Sequence, residues 1–172
     1  MLRSLVGSEM CIRDRLMEIE AKKILNSNQF NQYEVSSWAK NGRESRHNMN
    51  YWSYGDYLGL GPGAHSKITT NECITRMIKL KKVKSYIDNP YKTSNTKITS
   101  ENYDLDLAMN LLRIKKGITF EEIKKRNIYL SKTFLNKLEK GVEENLLEKG
   151  GTGIKASSIG YKFLNDTVNL FN

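Results

Sequence analysis

Thirty-four residues, Tyr33 to Ser66, hold both tryptophans, both histidines and five of the twelve glycines of this 172-residue chain. Glycine at that density lets backbone approach backbone and take turns closed to other residues. Aromatic and imidazole groups shape ligand surfaces. The window reads YEVSSWAKNGRESRHNMNYWSYGDYLGLGPGAHS. It must form either a binding surface or an aromatic-rich strand-and-loop core. Its flanks are different in kind, rich in lysine and asparagine with apolar residues at helical spacing.

The chain is long enough for one domain, or for one small domain and a piece of another. No run approaches the ~18 apolar residues that a membrane helix needs. Leu5 to Arg15, LVGSEMCIRDR, back-translates to a sequence that resembles a transposon adapter of sequencing libraries. Residues 1–15 are therefore expected to be extraneous and are set aside before fold reasoning. A native basic leader is the alternative, although no long apolar stretch marks it as a secretory signal. On this reading the natural chain begins near Leu16 and is the C-terminal part of something longer. Cys11 falls in the excluded segment, which leaves Cys73 alone. No disulfide framework is then possible, and a cytoplasmic location is the simplest reading.

The net charge is +9, to which residues 1–15 contribute +1 from three Arg against one Glu and one Asp. The remainder is spread along lysine-rich stretches after residue 66. A basic excess can attract nucleic acid. Solvated lysines on helix faces are the commoner cause, so nucleic acid is not the expected partner.

Leu16, Ile19, Lys23 and Ile24 predict a helix over 16–27, and the polar run from Asn26 to Asn31 predicts the turn out of it. Tyr33 to Ser37 then reads as a short strand, so that helix and strand make one unit of an α/β barrel. Lys40 to Tyr54 has no clean period and reads as a loop. Leu58 to Ala64 reads as an extended piece with close backbone approach at its glycines. Beyond Ser66 the helical pattern dominates. Leu105, Ala108, Met109 and Leu112 form one apolar stripe, and Leu135, Leu138 and Val142 another. Thr119 with Glu122 predicts a capping box opening a helix at Phe120. Leu146 to Ala156, with Gly150, Gly151 and Gly153, predicts a hairpin. Tyr161, Leu164, Val168 and Phe171 predict a last helix.

The window also resembles a family. Tyr33-Glu34-Val35-Ser36 with Trp38-Ala39-Lys40, Arg46-His47-Asn48 with Asn50-Tyr51-Trp52, Gly55-Asp56-Tyr57-Leu58-Gly59, and Gly61-x-Gly63-Ala64-His65-Ser66 resemble radical S-adenosylmethionine proteins related to oxygen-independent coproporphyrinogen III oxidase. The His-Asn-x-x-Tyr-Trp series is most similar to the heme-chaperone, HemW-like branch. Met109 to Arg113 with Gly117-Ile118 resembles a further stretch of the family. Ser45, Asn41 and Pro62 depart from its usual Cys, Pro and Ala. Ala156-Ser157-Ser158-Ile159-Gly160 stands for its Leu-Thr-x-x-Gly and keeps a hydroxyl cap and the glycine spacing.

The resemblance implies an α+β fold: the last helix–strand unit of a partial TIM-like barrel in 16–66, then a mainly helical, winged-helix-like C-terminal domain in 67–172. It also implies a 4Fe–4S cluster and S-adenosylmethionine in the intact parent. The cluster needs three cysteines as Cys-x-x-x-Cys-x-x-Cys, since such clusters are held by thiolates, and this chain has no such motif. No catalytic and no metal-ligating residue is therefore assigned. Ala39 matches a position of cofactor contact, though small residues also occur at any tight strand exit. His47 is the sharper candidate, because neutral imidazole ligates heme iron. Asn48 belongs to the same motif, and Tyr51 and Trp52 could flank a porphyrin plane. Alternatively His47 and Asn48 hydrogen-bond the loop while Tyr51 and Trp52 are core. His65 is expected to pin the glycine turn. Arg43, Arg46 and Lys67 are candidate partners for propionates.

The function so implied is that of a heme chaperone, with heme or porphyrin as ligand and heme-acceptor proteins as partners. Oxidative decarboxylation of coproporphyrinogen III is the nearest alternative. A basic winged-helix module binding nucleic acid is a rival of another class, which salt-sensitive duplex binding would reveal.

Overall fold

A computed structural model describes residues 2–70, 72–148 and 152–172, with side chains from Arg13 onward apart from Arg15. The chain divides into two compact units that meet in sequence at Ser45 and Arg46.

In the first unit a single helix, α1 (Leu2–Ser27), runs through the segment set aside above; Met1 of that segment lies outside the described residues. The expected turn follows, with Gln29 at φ 65° and the Phe30 amide bonded to Leu25 O at 2.9 Å. The single strand expected over 33–37 is instead a hairpin. β1 (Asn31–Glu34) pairs antiparallel with β2 (Ser37–Ala39), and Val35 and Ser36 make the turn. The buried Glu34 carboxylate stabilises that turn by accepting the Ser36 amide at 3.0 Å. A polar side chain that satisfies its own turn gives no period for sequence reading to detect.

The second unit opens on α2 (Arg46–Trp52), where a loop was expected. Seven residues are too few for an isolated helix. Met49 and Trp52 pack on the core and supply the tertiary support. Tyr54, at φ 64° and 4% exposed, ends the segment and enters the core. The extended glycine segment follows as read. Tyr57 and Lys67 exchange two 3.0 Å backbone bonds. A Cβ on Gly59 would lie 2.2 Å from His65 O, so only glycine fits there.

A larger correction concerns the stretch after Ser66. In place of helices, β3 (His65–Thr69), β4 (Ile74–Lys79) and β5 (Thr93–Ile98) form an antiparallel sheet in the order β3-β4-β5. Its first strand begins inside the expected barrel segment. β4, Ile-Thr-Arg-Met-Ile-Lys, is β-branched and sits centrally. β5, Thr-Ser-Asn-Thr-Lys-Ile, is almost wholly polar and pairs with β4 along its whole length. A short helix, α3 (Val83–Asp88), connects them.

The remainder is helical and holds the main core. α4 (Ser100–Leu111) buries Leu107, Ala108 and Leu111, with Leu112 just beyond it. The buried stripe is thus shifted from the expected one, and Met109 is 53% exposed. β6 (Ile118–Thr119) leads into α5 (Phe120–Lys125) through the expected capping box: Thr119 Oγ1 accepts the Glu122 amide and the Glu122 carboxylate accepts the Thr119 amide. α6 (Lys132–Glu143) is capped by Ser131. β7 (Gly153–Ile154) pairs with β6, and Leu147 bridges Ala156. Gly150 and Gly151 of the expected hairpin lie outside the described residues. The last helix is two, α7 (Ser158–Lys162) and α8 (Leu164–Asn169), broken at Phe163. The Ser157 hydroxyl caps α7 by accepting the Gly160 amide at 2.9 Å. Phe134 and Phe171, both at most 1% exposed, meet with ring centroids 4.7 Å apart at the centre of the core.

Candidate functional site

Four of the five candidate residues lie on α2. His47 and Tyr51 stand four apart on one face, and Asn48 and Trp52 on the next. The fifth, Ala39, ends β2 in the first unit and is 8% exposed.

His47 is exposed on the first turn, and its imidazole has no hydrogen-bond partner among the described residues. Of the alternative reading, the His47 bond is not formed among the described residues, whereas Trp52 does pack on the core. Tyr51 and Trp52 are half-buried and meet edge to face, 4.5 Å apart at 81°. Rings so disposed cannot both lie flat against one porphyrin plane. One face of Trp52 carries the Arg113 guanidinium at 4.1 Å. Its Nε1 is buried with no acceptor among the described residues. Tyr51 instead stacks at a tilt on Tyr57, with centroids 4.7 Å apart.

Behind this pair lies a charged network that sequence reading missed. Arg76 Nη1 donates to the Tyr57 hydroxyl at 3.2 Å, while its Nε and Nη2 grip Asp106. The Tyr54 hydroxyl donates to Asp106 Oδ2 at 2.6 Å. Burial, then the bond to Asp106, pushes the Tyr54 hydroxyl far above the usual phenol range. Burial opposes the charge on Arg76, but Asp106 outweighs it and raises the guanidinium further. One signal was available: Asp104 and Asp106 flank Leu105 of the helix that was read as a core stripe.

Lys67, a candidate for meeting propionates, is buried and committed. Its ammonium donates to Tyr54 O, Asp56 Oδ1 and Thr69 Oγ1, each at 3.0 Å, and lies 4.1 Å over the Tyr54 ring. Three donors with three acceptors leave nothing for a ligand. Burial pushes the Lys67 ammonium down, with Asp56 pulling the other way. Burial opposes ionisation of Asp56 too, but the Thr69 amide, Lys67 and the Thr69 hydroxyl together hold its carboxyl below the usual value. Arg43 and Arg46 are exposed. His65 is exposed on β3, and its backbone holds register with Ile78.

The polar crevice lined by Asn50, Tyr54, Asp56, Lys67 and Arg126 measures about 260 Å³. That is below the ~300–1,000 Å³ of pockets for drug-sized ligands. No group of three or more His, Cys, Asp or Glu among the described residues could hold a metal ion. The sequence has two cysteines in all, so its residues do not fit a three-cysteine cluster site. No helix among the described residues is long and apolar enough to cross a membrane.

The architecture is mixed α+β, and its backbone follows a radical S-adenosylmethionine enzyme. It matches a structure described as "Coproporphyrinogen III oxidase (HemN) from Escherichia coli is a Radical SAM enzyme" with TM-score 0.53 and 14% identity, over 88% of this chain and 39% of that one. At that identity the likeness is one of fold. In sequence, the chain is a homologue of proteins named heme chaperone HemW over most of its length. It is 34% identical over 155 residues to a putative heme chaperone HemW-like protein of Buchnera aphidicola subsp. Baizongia pistaciae, covering 89% of this chain and 41% of the relative. It is 30% identical over 156 residues to heme chaperone HemW of Buchnera aphidicola subsp. Schizaphis graminum, covering 90% and 42%. The chain thus spans about two fifths of the length of the curated relatives it matches. No protein-family model matches it.

Proposed function

We propose that this chain is the C-terminal part of a HemW-like heme chaperone acting in the cytoplasm, and that its α2 face contributes to heme binding and delivery to acceptor proteins. The observation that carries the reading is His47, an exposed imidazole with no partner among the described residues, standing one turn before Tyr51 in a chain with HemW homologues along most of its length. A neutral imidazole in that state is free to ligate heme iron. Tyr51, tilted on Tyr57, supplies an aromatic surface beside it, with Asn48 of the same motif adjacent, while Trp52 packs the helix on the core. Ala39 is proposed as a contact for S-adenosylmethionine in the parent. The parent's 4Fe–4S cluster would supply one-electron chemistry; its ligands must come from outside this chain. The β6-α5-α6-β7 order, two helices between paired strands, supports a winged-helix-like reading of the last domain. The helix–strand end of a barrel is the corresponding reading of the first unit.

The test is titration of the purified chain with hemin, following the Soret band. The expected result is a saturable shift that His47→Ala abolishes and Tyr51→Ala weakens, with the folded state checked by circular dichroism. An unchanged shift in folded His47→Ala would overturn the assignment. Coproporphyrinogen decarboxylation is the second reading, favoured by the fold match alone. Release of carbon dioxide from coproporphyrinogen III by the reconstituted full-length parent would decide for it.

A further inference from the structure

The second unit carries a groove that the heme reading does not use. It runs between α6, Phe120 at the start of α5, and β7, encloses about 630 Å³, and has Leu138, Val142, Leu147 and Ile154 in its lining. Phe120 and Leu135 lie on the same wall and remain 38% and 41% exposed. α6 therefore has one broad apolar face that the core covers only in part. Phe134 and Gly141 are buried, Leu138 and Val142 pack on the core while still lining the groove, and Leu135 stands at its exposed edge.

The groove is acidic. Its charged lining residues are Glu139, Glu143, Glu148 and Lys155. Lys155 binds both carboxylate oxygens of Glu148 at 2.8 Å, so that pair is neutral. Glu139 and Glu143 have no ion-pair partner among the described residues. Two net negative charges thus flank an apolar surface on a chain whose net charge is +9. The pair is unfavourable to the helix that bears it. Like charges four apart repel, and Glu143, in the last turn of α6, opposes the helix dipole. Cations docked along the groove would relieve both effects.

We propose that this groove receives a short amphipathic helix of a partner protein, with lysine or arginine beside its apolar stripe. Apolar side chains at i, i+3 or i+4, and i+7 suit the Leu135-Leu138-Val142 wall, in the helix-in-groove mode of recognition. The acidic rim rejects phosphate backbones and anionic lipid by the same electrostatics that attract a basic helix. The proposal does not rest on heme binding.

The experiment is fluorescence anisotropy with the whole chain and three labelled peptides of ~14 residues, about two exposed turns plus ends. One carries leucines at the stated spacing flanked by lysines, the second replaces the lysines by glutamates, and the third is scrambled. Saturable binding of the lysine peptide is expected, weaker by at least about tenfold for the glutamate peptide and for the E139K/E143K chain. Leu135→Ala, at an exposed position, should weaken binding without lowering the melting temperature. Equal binding of the lysine and glutamate peptides overturns the proposal, as does undiminished binding by the folded E139K/E143K chain. Sedimentation completes the test: a dimer that Leu135→Glu dissociates would assign the groove to a second copy and overturn the partner assignment.

Discussion

Arg76 and Asp106 meet through two parallel hydrogen bonds, Nε to Oδ1 and Nη2 to Oδ2, each 3.0 Å long. The pair ties the central strand β4 to α4. Through the Tyr54 hydroxyl it also fixes the segment that follows α2. A bidentate guanidinium–carboxylate pair sets orientation as well as distance. Arg76 and Asp106 are 24% and 18% exposed, so solvent screens the pair only in part. Arg76→Ala is expected to lower stability by ~2–3 kcal/mol, the scale of hydrogen bonds to charged groups. Arg76→Lys should restore less than half, because an ammonium cannot reproduce the fork. Urea denaturation of the three chains checks both; a loss below ~0.5 kcal/mol in Arg76→Ala would show the pair to be incidental.

Glycine at position 160 is set by a backbone neighbour. A Cβ there would lie 1.9 Å from Leu146 O, and a carbonyl cannot swing aside as a side-chain tip can. Gly160→Ala should cost ~2–3 kcal/mol or displace α7. Gly42, at φ +74° with open space around it, should cost only ~1 kcal/mol as alanine. Thermal unfolding of the two variants compares steric exclusion with backbone strain, and equal losses would contradict the distinction.

Ser131 serves two groups. Its hydroxyl oxygen accepts the Phe134 amide at 2.9 Å, and the hydroxyl contacts both oxygens of the buried Asp104 at 2.8 and 2.9 Å. Ser131→Ala should cost ~1–2 kcal/mol, the upper range for a lost N-cap. Thr119→Ala, at an exposed capping box, should cost less. Chemical denaturation of both variants would reveal the order.

Alkaline pH should destabilise the chain. Burial holds the Tyr54 and Tyr57 hydroxyls well above the ordinary value of 10.0, and Tyr103 is pushed up to about 12. Their folded values exceed the unfolded one. The stabilisation is therefore complete below pH 10 and lost as pH climbs through the folded values, because the unfolded chain releases these protons first. Absorbance at the phenolate band should show these three titrating together with unfolding. Phenolate formation by all nine tyrosines in one step near the ordinary value, with the fold intact, would refute it.

Anaerobic reconstitution with iron and sulfide should give no 4Fe–4S absorbance, and the chain should not cleave S-adenosylmethionine. Cys11 and Cys73 are its only cysteines, and three thiolates are required. Cleavage by the purified chain would overturn this expectation.

Much of the helical unit was already decided by local sequence. The Thr119–Glu122 box and the Ser157 cap follow from hydroxyls three residues ahead of their amide partners. The close approach at Gly59 follows from absence of a side chain. The His47–Trp52 motif marked the candidate surface in the sequence alone. Tertiary structure decided the rest. β5 has hardly an apolar residue and becomes a strand only because β4 offers it backbone partners. α2 is helical because Met49 and Trp52 find a core to pack on. Lys67 looks like a surface cation in sequence, yet three acceptors brought from Tyr54, Asp56 and Thr69 bury it. Arg76 and Asp106 are thirty residues apart and acquire meaning only when strand and helix meet. Local signals act through neighbours along the chain, whereas strand pairing and buried charge depend on partners that only folding brings together.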